Sequence, residues 1–296
     1  MKVKKQAIRF SDDSKGVYAL SPDITHTNEL VNWITHKDFN IYENQGYRLE
    51  CHTRKRNKLY SFQHPLLNTE VILKVSRISD QHKLLRKLNL HLSTFFSDYN
   101  YRAFLGAFLL KTNGISCATP IAYWTETDNY LIKKSYYLYE KIHAEYSIHS
   151  LSQQLFTLNQ ASQSRMFSQL AEKITTIIRN IHDAGFRQGD PHPGNFLISI
   201  PNQDFKSITS EDIDQAKIFI IDLDKFSIAM PLGKILKRFF DIRCFRRCTL
   251  GNYDQHAMLK FYLQNKYSKT WGLVLRFWMR GGFNISKWFK PLKRRL

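Results

Sequence analysis

One run, Arg187-Gln188-Gly189-Asp190-Pro191-His192-Pro193-Gly194-Asn195-Phe196-Leu197-Ile198, constrains this chain more than any other stretch. Its two prolines and two glycines bar a regular helix or strand across its centre. Before it, Ser164–Ala184 places Phe167, Leu170, Ile174, Ile177, Ile178 and Ile181 on one helical face. Gly185 suits the left-handed residue that ends such a helix. After it, Phe196–Ile200 and Ile218–Leu223 read as short buried strands, joined by a polar loop at Pro201–Gln215. A long helix therefore feeds a stiff loop, and the loop feeds a sheet. Asp190 and Asn195 lie five residues apart on that loop. Asp222 closes the second strand, in Ile220-Ile221-Asp222-Leu223-Asp224.

The first half reads differently. Tyr47–Thr53, Leu59–Gln63 and Glu70–Val75 are strand-like, and the first two are separated by the basic turn Arg54-Lys55-Arg56-Asn57-Lys58. Three short strands in a row predict an antiparallel meander. Ser93–Thr112 follows with helical spacing of Phe95, Phe96, Tyr99, Phe104, Phe108 and Leu109, and Asn113-Gly114 is its stop. Strands are expected near Thr119–Trp124 and Tyr136–Ile142. Residues 1–45 are polar and mixed, and no element is assigned there. The whole is an α+β pattern: a β-rich half with one helix, then a larger helical half. At 296 residues the chain has room for two such lobes. The expected divisions are an extension at 1–45, a small lobe at 46–142, a larger lobe at 143–265 and a separate segment at 266–296.

Asp190, Asn195 and Asp222 match what phosphoryl transfer from ATP requires. The transition state is loose, so a protein chiefly positions groups and neutralises charge. One carboxylate orients the attacking hydroxyl. An amide oxygen and a second carboxylate hold Mg²⁺, which prefers a few hard oxygen ligands. Any one of the three alone would more often be structural, capping a turn or ending a strand. Their order, after a helix and flanking two strands, favours the chemical reading. Lys74, in Val71-Ile72-Leu73-Lys74-Val75, is the next candidate, because an ammonium among aliphatic residues is costly to bury without a partner. An edge-strand lysine with a solvated tip is the plain alternative.

The D-x4-N loop followed by a strand-borne Asp resembles the protein-kinase-like superfamily. Its G-D-x-H-P-G-N form is closer to small-molecule and sugar kinases. Within that group GDPHPGNFLI and FIIDLDK resemble the lipopolysaccharide core kinases of Gram-negative bacteria, which phosphorylate heptose or 3-deoxy-octulosonic acid. The likeness covers residues 47–230. It implies a two-lobed, protein-kinase-like fold that uses ATP and Mg²⁺, with Asp190 on the acceptor hydroxyl and Asn195 and Asp222 on the metal. It also implies Lys74 on the α/β-phosphates and a hinge at Glu140-Lys141-Ile142, where backbone groups of Glu140 and Ile142 meet adenine. His192 stands where many protein kinases keep a lysine, and is expected to brace the loop with some contact to phosphate.

Three departures accompany the likeness. No G-x-G-x-x-G joins the first two strands, and Arg54 and Arg56 are expected to neutralise phosphates there, with an ordinary solvated turn as the alternative. The helix after Lys74 shows no acidic partner, because Ala103 falls near the expected glutamate. Asp222-Leu223-Asp224 replaces D-F-G, and Asp224 is expected to pair with Lys225 in preference to assisting the metal.

The charge points to a polyanionic partner: 44 Lys+Arg stand against 25 acids, a net charge of +19. The excess concentrates in Lys225–Leu296, where 17 Lys/Arg face two acids, a net of +15. Aromatics including Phe239, Phe240, Phe245, Trp271, Phe277, Trp278, Phe283, Trp288 and Phe289 are interleaved there. Such a segment suits an anionic membrane surface. Nucleic acid is the weaker explanation, since no nucleic-acid motif accompanies the charge. The N-terminus lacks the apolar core of a secretory signal, and no apolar run is long enough to span a bilayer. The four cysteines Cys51, Cys117, Cys244 and Cys248 lack zinc-site spacing and fit a reducing cytosol. The expectation is a cytoplasmic protein, peripheral on the inner membrane, acting on the lipopolysaccharide core glycolipid. A soluble antibiotic or metabolite phosphotransferase is the rival enzyme. A membrane-bound pseudokinase scaffold is the rival without catalysis.

Overall fold

The computed structural model describes residues 10–13, 16–22, 24, 26–45, 47–48, 57–77, 98–128, 131–157, 160–201, 207–228, 238, 241–242 and 255–263. The chain divides into two compact units. One runs through His143 and takes in Asp222–Lys225; the other comprises Ala144–Ile221 and the chain from Phe226.

The first unit is built on seven strands: β1 (Phe10–Asp13), β2 (Gly16–Leu20), β3 (Tyr47–Arg48), β4 (Asn57–Gln63), β5 (Glu70–Arg77), β6 (Pro120–Asp128) and β7 (Leu131–Glu140). They form one antiparallel sheet in the order β1-β2-β6-β7-β5-β4-β3. The expected meander is β3-β4-β5. The strand expected at Tyr136–Ile142 begins earlier and ends at Glu140, and β6 runs on to Asp128.

Alternation along the strands gives the sheet two faces. Val71, Leu73 and Val75 of β5, with Trp124 and Tyr136, join Leu30, Trp33 and Phe39 in one buried cluster. Its aromatic packing is close: the Trp124 and Tyr136 rings stack at 5.0 Å, and Phe39 lies 4.8 Å from Tyr136. Leu30 and Trp33 belong to helix α1 (Thr27–Thr35), and α2 (Asn40–Gln45) follows. Residues 10–45 thus supply two strands and two helices to this unit, none of them expected from their polar composition. Burial of a few aromatics at wide spacing suffices there. On the other face α3 (Tyr99–Thr112) packs Phe104 against Tyr123 and Tyr137, ring centroids 6.5 and 6.3 Å apart. The expected onset of this helix at Ser93 lies outside the described residues.

The second unit centres on α5 (Gln160–Asp183). Phe167, Leu170, Ala171, Ile174, Ile178 and Ile181 are buried along it, whereas Ile177 remains partly exposed. Gly185 ends the turn after the helix with φ 87°. A three-stranded antiparallel sheet has β10 (Phe196–Ser199) between β8 (Tyr146–Ser147) and β11 (Lys217–Ile220). A two-stranded ladder pairs β9 (Phe186–Arg187) with β12 (Ser227–Ile228). Helix α4 (Ile148–Leu155) opens on a reciprocal Ser147–Ser150 capping box. The stretch Pro201–Gln215, expected to be loop throughout, contains α6 (Ser210–Gln215). Thr209 and Asp212 cap each other there, a signal hidden inside a polar composition. Helix α7 (Gln255–Tyr262) buries Met258, Leu259 and Tyr262.

Candidate active site

The nominated residues fall on both units. On the first, Lys74 sits mid-strand in β5, paired with Leu59 of β4 and Tyr137 of β7. It is therefore not an edge lysine. Strand parity points it away from the Val71–Leu73–Val75 cluster, and its side chain is only 10% exposed. Its ammonium is hydrogen-bonded to the Asp224 carboxylate and lies 3.9 Å from Asp222 Oδ1. The expected partner of Asp224, Lys225, is thereby corrected to Lys74: Asp224 turns inward, where a buried ammonium needs a counter-charge. Ala103, the residue at the expected glutamate position, is buried on α3 and contributes no charge.

The two aspartates of this segment differ. Asp222 is 49% exposed, Asp224 only 17%. Burial raises the pKa of Asp224, Lys74 opposes the rise, and Asp222 adds to it. Asp222 does not end a strand, since β11 stops at Ile220. Its φ is 55°, the left-handed region, which Asp enters more readily than most residues but at a cost of order 1 kcal/mol. Nearby, Asp98 caps α3. Its Oδ1 accepts from the Asn100 amide at 3.2 Å and from Ser135 Oγ at 3.0 Å. Burial raises its pKa as well, and the same burial, with Asp98 alongside, pushes the Tyr123 phenol up.

The hinge residues are partly spoken for. The Glu140 amide donates to Thr119 O at 3.0 Å, and the Lys141 amide donates to Glu70 O at 2.9 Å. The Lys141 ammonium, 2.5 Å from Glu70 Oε1, holds that carboxyl below its usual range. Ile142 lies in a stretch that is neither helix nor strand. Arg54 and Arg56 lie outside the described residues, as does the 266–296 segment.

On the second unit, Asp190, His192 and Asn195 are tied into one loop. The His192 amide donates to Asp190 O, and the Asn195 amide donates to His192 O, each at 2.8 Å. Asn195 Nδ2 donates to Asp190 O at 3.0 Å. That bond fixes the amide orientation and leaves Oδ1 as the side-chain atom suited to a cation. His192 Nδ1 accepts from the Gly194 amide at 3.2 Å, the bracing role expected of it. A Cβ on Gly194 would lie 3.1 Å from His192 Cε1, so any larger residue there would press on the ring. The Ile221 amide donates to Asn195 O at 2.9 Å, carrying the pairing of β10 with β11 one residue further.

Sequence reasoning missed the anchor of this loop. Asp241, fully buried, accepts from Arg187 Nε at 2.7 Å, the Gln188 amide at 2.9 Å, the Gly189 amide at 3.0 Å and His182 Nε2 at 3.2 Å. A carboxylate has no proton to give, so His182 Nε2 bears the hydrogen. His182 Nδ1 then accepts from Tyr262 Oη at 2.7 Å. Gly189 holds φ 95°, which turns its amide onto Asp241. A visible signal existed: Asp241 is one of only two acids in the basic stretch from Lys225 to the end.

Among the described residues no group of three or more His, Cys, Asp or Glu is placed to hold a metal alone. Mg²⁺ carried with phosphates asks for only one or two protein ligands. Asn195 Oδ1 and the half-exposed Asp222 carboxylate are hard oxygen donors of that kind. Burial pushes the Cys117 thiol up to about 12, so it is no nucleophile. No described helix is long and apolar enough to cross a membrane.

Comparison with known proteins bears on the family and the fold. Residues 54–238 match the model of the "Lipopolysaccharide kinase (Kdo/WaaP) family". A comparison with curated protein sequences finds no match. Among solved structures, WaaP in complex with acyl carrier protein is similar at TM-score 0.55 and 15% identity, covering 94% of this chain and 98% of that one. The BubR1 kinase domain aligns at TM-score 0.40 and 16% identity, over 70% of this chain and 62% of that one. The ROP18 kinase domain, solved with AMP-PNP and sucrose, aligns at TM-score 0.41 and 12% identity over the same shares. The fold is kinase-like.

Proposed function

Because the chain belongs to the lipopolysaccharide kinase (Kdo/WaaP) family, we propose that it transfers the γ-phosphoryl group of ATP to a heptose or 3-deoxy-octulosonic acid hydroxyl of the lipopolysaccharide inner core. The observation that carries the reading is the braced loop. Asp190 and Asn195 are locked together through Asn195 Nδ2 and the Asp190 carbonyl, which leaves the Asn195 amide oxygen available to a cation.

Asp190 orients the acceptor hydroxyl and takes its proton as the bond to phosphorus forms. Asn195 Oδ1 and Asp222 are the residues to hold Mg²⁺, which when bound neutralises charge on the phosphates. Lys74 offsets charge on the α/β-phosphates. His192 stiffens the loop so that Asp190 keeps its aim, since small displacements of a positioning group are costly in rate. The Glu140 carbonyl and Ile142 contact the base, and the role proposed for Arg54 and Arg56 is to neutralise phosphate charge. The net charge of +15 in Lys225–Leu296 supports action at an anionic surface, the cytoplasmic face of the inner membrane.

The test is to incubate purified protein with labelled ATP, Mg²⁺ and dephosphorylated core lipopolysaccharide, beside an Asp222→Ala control. Label entering the glycolipid with wild type alone supports the reading. Folded protein that binds ATP but transfers nothing to the glycolipid refutes this acceptor.

A further inference from the structure

Lys74 poses a problem that the neighbouring helix does not solve. Its side chain is 10% exposed, its strand is hydrogen-bonded on both sides, and α3 presents Ala103 where a carboxylate was expected. A buried ammonium without a partner is strongly destabilising. The structure supplies the carboxylate from elsewhere. We infer that Asp224 is the positioning residue for Lys74, and that Asp222-Leu223-Asp224 divides two tasks between its carboxylates. Asp222 serves the metal, and Asp224 fixes the lysine that meets the phosphates. The inference rests on the phosphotransfer reading above.

Exposure and contacts support this division. Asp224 bonds directly to the Lys74 ammonium and is 17% exposed, whereas Asp222 stands 3.9 Å from it and is 49% exposed. A metal ligand must present its oxygen to a cation that arrives with the phosphates, and the more open carboxylate can do so. Asp98 lies near enough to add its attraction for the ammonium, and its Oδ1 is engaged by Asn100 and Ser135. Asp222 and Asp224 also share one short segment. The placement of Lys74 is therefore tied to the residues that carry the metal-binding carboxylate. Among the described residues, α3 carries no glutamate to pair with Lys74.

The experiment is a double-mutant cycle on the full chain, using Lys74→Met, Asp224→Asn and their combination, with Asp222→Asn as comparison. Two quantities are read: equilibrium affinity for ATP with Mg²⁺, and turnover on dephosphorylated core lipopolysaccharide at varied Mg²⁺. Asp224→Asn is expected to weaken ATP affinity about tenfold, the scale of one charge-assisted hydrogen bond, and to leave the Mg²⁺ response in place. In the Lys74→Met background it should add less than about twofold, since its role runs through the lysine. Multiplying losses, or an Mg²⁺ response shifted as in Asp222→Asn, would make Asp224 a metal ligand and overturn the inference. If Asp224→Asn alone fails to fold, the double variant, which removes both charges, should recover the fold. A double variant that stays unfolded also overturns it. Wild type that binds ATP without phosphorylating glycolipid refutes the acceptor and leaves the affinity cycle as a full test.

Discussion

Replacing Asp241 should damage the second unit in a graded and calculable way. Asp241→Ala strips the acceptor from two buried backbone amides, Gln188 and Gly189, and from the side chains of Arg187 and His182. A buried donor left without a partner costs roughly 1–3 kcal/mol, so the two amides alone cost about 2–6 kcal/mol. A whole domain is stable by only about 5–15 kcal/mol. The alanine variant is therefore expected to lose a large share of the stability of this unit. Asp241→Asn is the informative change. The asparagine keeps one acceptor but turns Nδ2 toward the other pair of donors. With Nδ2 facing Gln188 and His182, the imidazole adapts by moving its proton to Nδ1 and donating to Tyr262 Oη. The Gln188 amide has no such option. Loss of one amide pairing and of charge assistance comes to about 2–3 kcal/mol. For a protein of this size that lowers the melting temperature by roughly 5–10 °C. Turnover should fall further than stability suggests, at least about tenfold, because Gln188 and Gly189 immediately precede Asp190. The assay pairs thermal melts with steady-state kinetics at a temperature where both proteins are folded. Asp241→Asn that melts and turns over like wild type would refute the anchoring argument.

Two further outcomes are expected. His64 has its pKa lowered to about 4 by burial, from 6.5 when exposed, so the unfolded chain binds the extra proton between those values and stability falls as pH drops from about 6.5 toward 4. The loss approaches about 3 kcal/mol at its limit, and His64→Asn should flatten the slope of denaturant midpoint against pH; an equal slope in both proteins counts against the assignment. Gly194→Ala pushes a methyl to 3.1 Å from His192 Cε1, so kcat should fall severalfold while stability drops by about 1 kcal/mol; unchanged kcat would deny His192 its bracing role.

What the sequence revealed, and what it hid, follows from the range of the interactions. The loop from Arg187 to Ile198 was legible because prolines, glycines and the flanking helix and strands act locally. The central strands were legible because β5 carries an aliphatic run. Residues 10–45 were not, because α1 contributes mainly Leu30, Trp33 and Ile34, too few apolar positions to stand out from a polar background. Asp241 lies more than fifty positions along the chain from the amides it anchors, and an acid in a basic stretch does not announce its partners. Asp224 was legible as a carboxylate but not as the partner of Lys74. Lys225 is adjacent in sequence, whereas the strand parity that points Lys74 toward α3 becomes decisive only once the sheet order is known.

Asp222 allows function to be separated from stability at a single position. Its φ of 55° costs an L-residue about 1 kcal/mol, and glycine would relieve that strain. Glycine also brings more chain entropy to the unfolded state, of about 0.5–1 kcal/mol. Its removal of the carboxylate 3.9 Å from Lys74 gives up a long, partly solvated attraction, while Asp224 still holds the ammonium directly. These effects nearly cancel, so Asp222→Gly should melt within a few degrees of wild type. If the carboxylate served the fold, the same substitution would cost as much as any buried ion-pair deletion. An aspartate kept in a backbone conformation that glycine adopts more easily is kept for its oxygens. Phosphotransfer should therefore vanish in Asp222→Gly while the melting curve barely moves. A variant that retains turnover, or that unfolds, would remove Asp222 from the metal site proposed for it.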